Sequence, residues 1–571
     1  MKRSTYLLLA ILFFIILGVA AVLSYVLYDL GRPAVTVPSR AYLEVNLSGS
    51  LEEIAPPDFW VSLMLGTRPV AVHDVWINLH KAASDPRIRA VVLRLGMLQA
   101  EWAKMSELRD AILEFRRSGK KVYAFIEEAP DFDKEYYLAT ACDRIVLHPL
   151  GWLGVNGIGG AVPFFKGTLD KLGIRAEFEH VEDYKTAYNI FTEKGFTPAH
   201  REETEAYLGD VFAEYVRVTA AARKMTETRF RELLDTAFFQ GEQAKTAGLV
   251  DDVLYDDELL EALAAGGPRP TRIPLDQYAR VKAAPAGFGG GRRIALIYGV
   301  GPILTGESPP QVMGGTTVAR WLRTARQDPS IKAIVFRVDS PGGSSVGSDV
   351  IGREVLLAKK AKPVVVSMSD VAGSGGYWVA MSAHKIIAQP QTLTGSIGVL
   401  AGKFSCAGLY AKLGVTSETV AFGAKAEIFS TFRPFTPEER RVLKNEILWT
   451  YDQFVTKVAE GRHMTKEAVH AVGQGRIWTG RQAKERGLVD ELGGLSTAIA
   501  AAKKLAGIPE DEEVSLVVWP KRRTFWDTLL GRPAAEFGPE SLPELKKALG
   551  AAKLLEEPRV WALMPLAVET R

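Results

Sequence analysis

The chain has 571 residues, 70 Lys and Arg against 67 Asp and Glu, and 47% hydrophobic residues; this excludes disorder over most of its length and exceeds what one hydrophobic core serves, so several domains are expected. A net charge of +3 without any long run of like charges disfavours nucleic acid as a partner. Two cysteines, Cys142 and Cys406, rule out a disulfide scaffold and a cysteine-based zinc site, and both are expected as buried thiols.

Lys2 and Arg3 precede residues 5–28, an uncharged stretch rich in Leu, Ile, Phe, Val and Ala. As a helix it would span about 36 Å, enough to cross a hydrocarbon core of about 30 Å. A cleaved signal peptide has a shorter apolar region, about 7 to 15 residues, followed by a small-residue cleavage site. The expectation is therefore an uncleaved, single-pass transmembrane signal anchor. Residues 1–4 would stay in the cytoplasm by the positive-inside rule, with the rest of the chain on the extracytoplasmic, periplasmic side of the cytoplasmic (inner) membrane.

Beyond the anchor the chain repeats itself. Residues 85–94, DPRIRAVVLR, return as 328–337, DPSIKAIVFR. Further on the offset settles at 241, where Tyr136 and Tyr137 match Tyr377 and Trp378, Pro149 matches Pro390, and Gly154 and Gly157 match Gly395 and Gly398. Lys171 to Ile174 match Lys412 to Val415 at the same offset, and the stretch from Gly241 to Asp251 returns as Gly480 to Asp490. Two copies of one unit follow, residues 40–265 and 292–505, with an Ala/Gly/Pro-rich linker at 266–291 and a tail at 506–571. In the second unit, residues 333–338 and 364–368 have the length and bounds of buried strands, while 437–461 has helical length and spacing. Such alternation predicts tandem α/β units with largely parallel sheets.

What the copies do not share points to chemistry. The strand at 333–338 runs into Asp339-Ser340-Pro341-Gly342-Gly343, whose paired glycines can expose backbone N–H groups to a substrate carbonyl. The first unit has lost that pair. The next strand runs into Ala372-Gly373-Ser374-Gly375-Gly376-Tyr377-Trp378, placing Ser374 at a helix N-terminus; at offset 241 the first unit carries Asp133 there. Ser396, within Thr394-Gly395-Ser396-Ile397-Gly398, likewise faces Val155. A serine nucleophile needs a base. His384 lies ten residues along the helix from Ser374, about 15 Å of rise, which is too far. The remaining type of base is a lysine, and here the asymmetry reverses: Lys185, in Tyr184-Lys185-Thr186-Ala187, aligns with Ala426, although Lys425 stands one residue away. One copy keeps the lysine and the other the serines and glycines, the pattern of a composite site.

These motifs together resemble the long, two-repeat form of the bacterial signal peptide peptidase A family, peptidase family S49, over essentially the whole chain. The resemblance implies a membrane-anchored serine endopeptidase with a crotonase/Clp-protease-like fold. It implies Ser374 as nucleophile, Lys185 as general base, Ser396 as the residue orienting the lysine, and Gly343 and Gly375 as the oxyanion hole. Hydrophobic peptides and signal peptide remnants would be the substrates, and a homotetramer the assembly. No metal, nucleotide or organic cofactor is expected, since there is no HExxH motif and no phosphate loop. The alternatives are a crotonase-fold acyl-CoA enzyme, which would not need the Ser374 and Lys185 pair, and a catalytically inactive membrane scaffold.

Overall fold

A computed structural model describes Phe13, residues 35–55, 70–282, 284–285, 287–309 and 311–521, and the strands Trp561–Leu563 and Glu569–Thr570. The expected anchor at 5–28 lies outside the described residues, apart from Phe13. Among the described residues no helix is long and apolar enough to cross a membrane.

Each repeat builds its own parallel sheet. In the first unit the strands run in the order Asp252–Val253, Arg144–Leu147, Lys121–Ile126, Ile88–Gln99, Ala41–Glu52, Thr271–Pro274. The second unit repeats that order with Glu491–Leu492, Lys385–Ala388, Val364–Gly373, Ile331–Ser340, Arg292–Val300 and Val514–Trp519. It adds Leu393–Gly395 beside Val364–Gly373, with Ile477–Thr479 antiparallel to it. Strands Thr271–Pro274 and Val514–Trp519 fall in the stretches assigned to linker and tail. Both join their sheets through backbone bonds that need no repeated side chains, so self-comparison does not reveal them. The long helix expected at 437–461 spans Pro437–Arg462, capped by Thr436 and Glu439.

The second sheet is buried on both faces, and its alternation shows where each face goes. Ile294, Leu296, Ala333 and Val335 join the core of the first unit, while Ala295, Ile297, Ile334 and Phe336 face the second unit's own helices. Charged groups fix this docking. Fully buried Arg337 donates to Glu53 at 2.7 Å and to Glu107 at 2.9 Å, and Lys104 pairs with Asp339 at 2.9 Å. Leaving any of these charges alone in the interior would cost several kcal/mol, so they specify one register between the units.

A third sheet crosses the two units. Its order is Met313–Gly314, Ile303–Leu304, Gly342–Ser344, Trp561–Leu563, Leu400–Ser405, Arg175–His180. Cys142 is buried, and burial pushes its thiol up to about 12, but Cys406 is only half-buried beside the surface helix Ala407–Leu413. The apolar residues around Cys406 belong to an outward-facing helix, which a local reading of hydrophobicity does not separate from core.

Candidate active site

Strand Val364–Gly373 delivers Ser374 to the start of the helix Gly375–Ala380. Ser374 sits at φ +54 and Ser396 at φ +48, left-handed conformations that L-residues hold only when surrounding structure compels them. Ser374 is pinned by its own N–H, which donates to Gly395 O at 2.8 Å, and Ser396 by its N–H to Arg476 O at 2.7 Å. The two serines are thus held on neighbouring strand ends, both fully buried.

Lys185 enters from the first unit, just before the 3-10 turn Thr186–Tyr188. It is fully buried, and its Nζ donates to Ser374 Oγ at 2.8 Å, Ser396 Oγ at 3.0 Å and Ser396 O at 3.1 Å. An ammonium would fill all three acceptors; the neutral amine keeps two of them and turns its lone pair to the Ser374 hydroxyl. Burial drives its pKa well below the usual lysine value, opposed by the charge of Glu203. Two glycines make the space: a Cβ on Gly398 would stand 3.1 Å from Lys185 Cδ, and one on Gly475 would stand 2.5 Å from Lys185 N.

Gly343 and Gly375 meet beside Ser374. Gly343 adopts φ +149 with its Cα face against Ile303, and a Cβ on Gly375 would lie 3.1 Å from Gly343 N. Gly375, first residue of its helix, has an N–H with no acceptor within that helix. Strand Gly342–Ser344 and strand Leu400–Ser405 bound a slot here, and Trp561–Leu563 of the same chain runs antiparallel to both, with Gly342 opposite Leu563 and Leu400 opposite Trp561.

The other sequence candidates lie elsewhere. His384 is exposed and its Nδ1 accepts from Val364 N at 3.1 Å. Lys425 is half-buried and pairs with Glu438 at 3.0 Å. In the first unit Asp133 occupies the position matching Ser374, where it accepts from Asn156 N and Gly157 N, each at 3.1 Å. Burial lifts its carboxyl to about 6. Sequence reasoning missed Gly475 and the loop around it, which pack on the lysine from the other repeat, and Glu203, which bonds to neighbouring Thr186 and acts on the lysine through its charge. Among these only Gly475, one of two glycines flanking Gln474, left a signal.

Comparison with known proteins gives this arrangement a family. The model described as Peptidase family S49 matches twice, at residues 114–267 and 357–509. The chain is 35% identical to "Serine protease SPPA, chloroplastic" of Arabidopsis thaliana, over 83% of this chain and 69% of the relative. It is 34% identical to "Protease 4" of Salmonella typhi, over 77% of this chain and 73% of that one. Among solved structures, "ClpP1 from Listeria monocytogenes" aligns with 35% of this chain and 91% of its own at 14% identity and a TM-score of 0.23. The protein is a serine endopeptidase built from two tandem α/β units. It belongs to peptidase family S49, so the acyl-CoA reading falls away.

Proposed function

We propose that this chain hydrolyses peptide bonds with a Ser374/Lys185 dyad assembled from both repeats, and that its substrates are apolar peptide segments such as released signal peptides. The observation that carries the reading is the 2.8 Å contact between Lys185 Nζ and Ser374 Oγ in a fully buried setting. Burial disfavours the cation and so enlarges the share of neutral amine, the form that accepts the serine proton. Ser374 Oγ then attacks the substrate carbonyl carbon, and the oxyanion meets the N–H groups of Gly343 and Gly375. Protonated Lys185 returns its proton to the departing amine as the C–N bond breaks. A water, deprotonated by the same lysine, attacks the acyl carbon; the bond from that carbon to Ser374 Oγ breaks, and Lys185 returns the proton to Ser374 Oγ. Ser396 keeps the amine aimed at Ser374 throughout.

The slot beside Ser374 supports peptide recognition by strand addition. The chain's own Trp561–Leu563 already pairs with both of its edges, so an extended backbone fits between them. An anchor at 5–28 would hold the slot near segments that partition into lipid.

Reciprocal surfaces favour a closed assembly, the expected homotetramer. Within the chain, Arg175–His180 pairs antiparallel with Leu400–Ser405, and Leu409 N donates to Gly173 O at 3.1 Å. The repeat implies a mirror contact, 241 residues on, between segment 416–421 and segment 159–164. In one chain that contact is unmade: a Cβ on Gly414 or on Gly167 would meet nothing within 4 Å, and Val420 and Phe422 are 85% and 94% exposed. A second copy would complete it head to tail, which closes into a ring when the rotation permits.

Labelling the purified protein with a fluorophosphonate tests the reading. Covalent label on Ser374, lost in Lys185→Ala, is the expected result; absence of label at Ser374 in the wild type overturns it and leaves the inactive scaffold.

A further inference from the structure

Glu203 takes no part in the chemistry above, yet it is 1% exposed on the helix Pro198–Ala222, next to the catalytic cluster. Its Oε1 accepts from the Thr186 hydroxyl at 2.5 Å, and its Oε2 from Ile477 N at 3.3 Å. Thr186 directly follows Lys185. Ile477 opens the strand Ile477–Thr479, which pairs with Leu393–Gly395, and the preceding residue Arg476 supplies the carbonyl that holds Ser396 N. Gly475, one residue further back, packs on the backbone of Lys185 itself. One carboxyl of the first unit therefore bonds to the lysine-bearing turn and also to the strand that braces Ser396.

Charge adds to this tie. The charged groups that act on Glu203 are Arg476 and Lys185, and Glu203 is the charged group that acts on Lys185. Tyr184 and Glu202 lie on the outer side, where the Tyr184 hydroxyl donates to Glu202 at 2.7 Å and Arg476 pairs with Glu202 at 2.8 Å. Burial pushes the Glu203 carboxyl up to about 8, against the lowering effect of its two hydrogen bonds and the two cations. When ionised it favours the protonated lysine, which is inactive as a base; when neutral it leaves the amine free.

We propose that Glu203 is a positioning residue for catalysis, which joins the lysine-bearing turn of one repeat to the serine-bracing strand of the other and controls the charge beside Lys185. The proposal rests on Lys185 acting as the base. It concerns the rate of the chemical step and not the binding of peptide, because Glu203 is sealed behind Thr186 and Ile477 and does not face the slot.

The test compares wild type, Glu203→Ala and Glu203→Gln in the full chain, measuring kcat and KM on a fluorogenic apolar peptide from about pH 6 to pH 10. Glu203→Ala should lower kcat about tenfold with KM nearly unchanged, because the lysine loses its tether. Glu203→Gln can offer its carbonyl to Ile477 N while its NH2 donates to the Thr186 hydroxyl, and should recover most of that loss. It should also move the rising limb of the pH profile to lower pH by about half a unit, since no ionised carboxyl holds the lysine proton. Wild-type kcat and an unmoved limb in both variants would overturn the proposal, as would a Gln variant as slow as Ala with its limb in place. If Glu203→Ala fails to fold, the limb of Glu203→Gln decides alone. Failure of the base assignment is separable, because it would appear as full activity in Lys185→Ala.

Discussion

Lys185 Nζ and Ser374 Oγ stand 2.8 Å apart although 189 residues of chain separate them and each comes from a different repeat. The matching positions, Ala426 and Asp133, have lost the lysine and the serine. The duplicated unit therefore retains a single cluster with both groups, at the junction of its two copies.

Ser374→Ala is expected to abolish peptide hydrolysis while leaving the fold intact, since it deletes one buried oxygen at little steric cost. Ser396→Ala should lower kcat by a smaller factor, about 10 to 100, because Lys185 keeps its bonds to Ser374 Oγ and Ser396 O. Equal losses in the two variants would assign Ser396 a direct chemical role.

Lys185→Ala should be inactive and Lys425→Ala close to wild type, because the latter side chain is half-buried and paired with Glu438, away from both serines. Activity should rise with pH as Lys185 loses its proton. The sign follows from the amine being the active form, and the rise should be centred well below the ordinary lysine value because burial disfavours the cation. A limb centred near 10.5 in a kcat/KM profile would mean that the base is an exposed lysine.

Gly475→Ala tests the packing of the lysine. The residue lies at φ +84 and an added Cβ would come within 2.6 Å of Lys185 Cα. Backbone strain and collision together predict a loss of about 1 to 3 kcal/mol in stability and a fall in kcat as the amine is displaced. Thermal melting and kinetics read the two effects separately; a variant unchanged in both would show that this loop yields freely.

A chain ending at Lys521 removes the strand Trp561–Leu563 from the slot between Gly342–Ser344 and Leu400–Ser405. Peptide substrate and the chain's own strand need the same backbone edges, so KM should fall several-fold in the shortened protein. An unchanged KM would place the substrate elsewhere.

Phe422→Asp combined with Val420→Asp should lower the assembly state, read by light scattering after size-exclusion chromatography. Both side chains are exposed in the single chain, so the monomer should keep its thermal stability. An oligomer of unchanged mass would exclude the 416–421 segment from the interface.

The sequence by itself determined the duplication, the α/β class and the division of candidate groups between the copies. Those properties are local: strands such as Ile331–Ser340 are written in β-branched runs, and the motifs around Ser374 and Lys185 stand out because their counterparts lack them. Tertiary structure decided the rest. That Lys185 is sealed against two serines depends on how the units dock, which Arg337, Glu53, Glu107 and Lys104 fix through contacts remote in sequence. Glu203 and the strand Trp561–Leu563 carry no periodicity or motif that marks them, and Gly475 shows only as one of two glycines flanking Gln474. Their contacts with the cluster exist only once a helix of one repeat, a loop of the other and the end of the chain share the same small volume, so distance in space and not order in sequence gives them their roles.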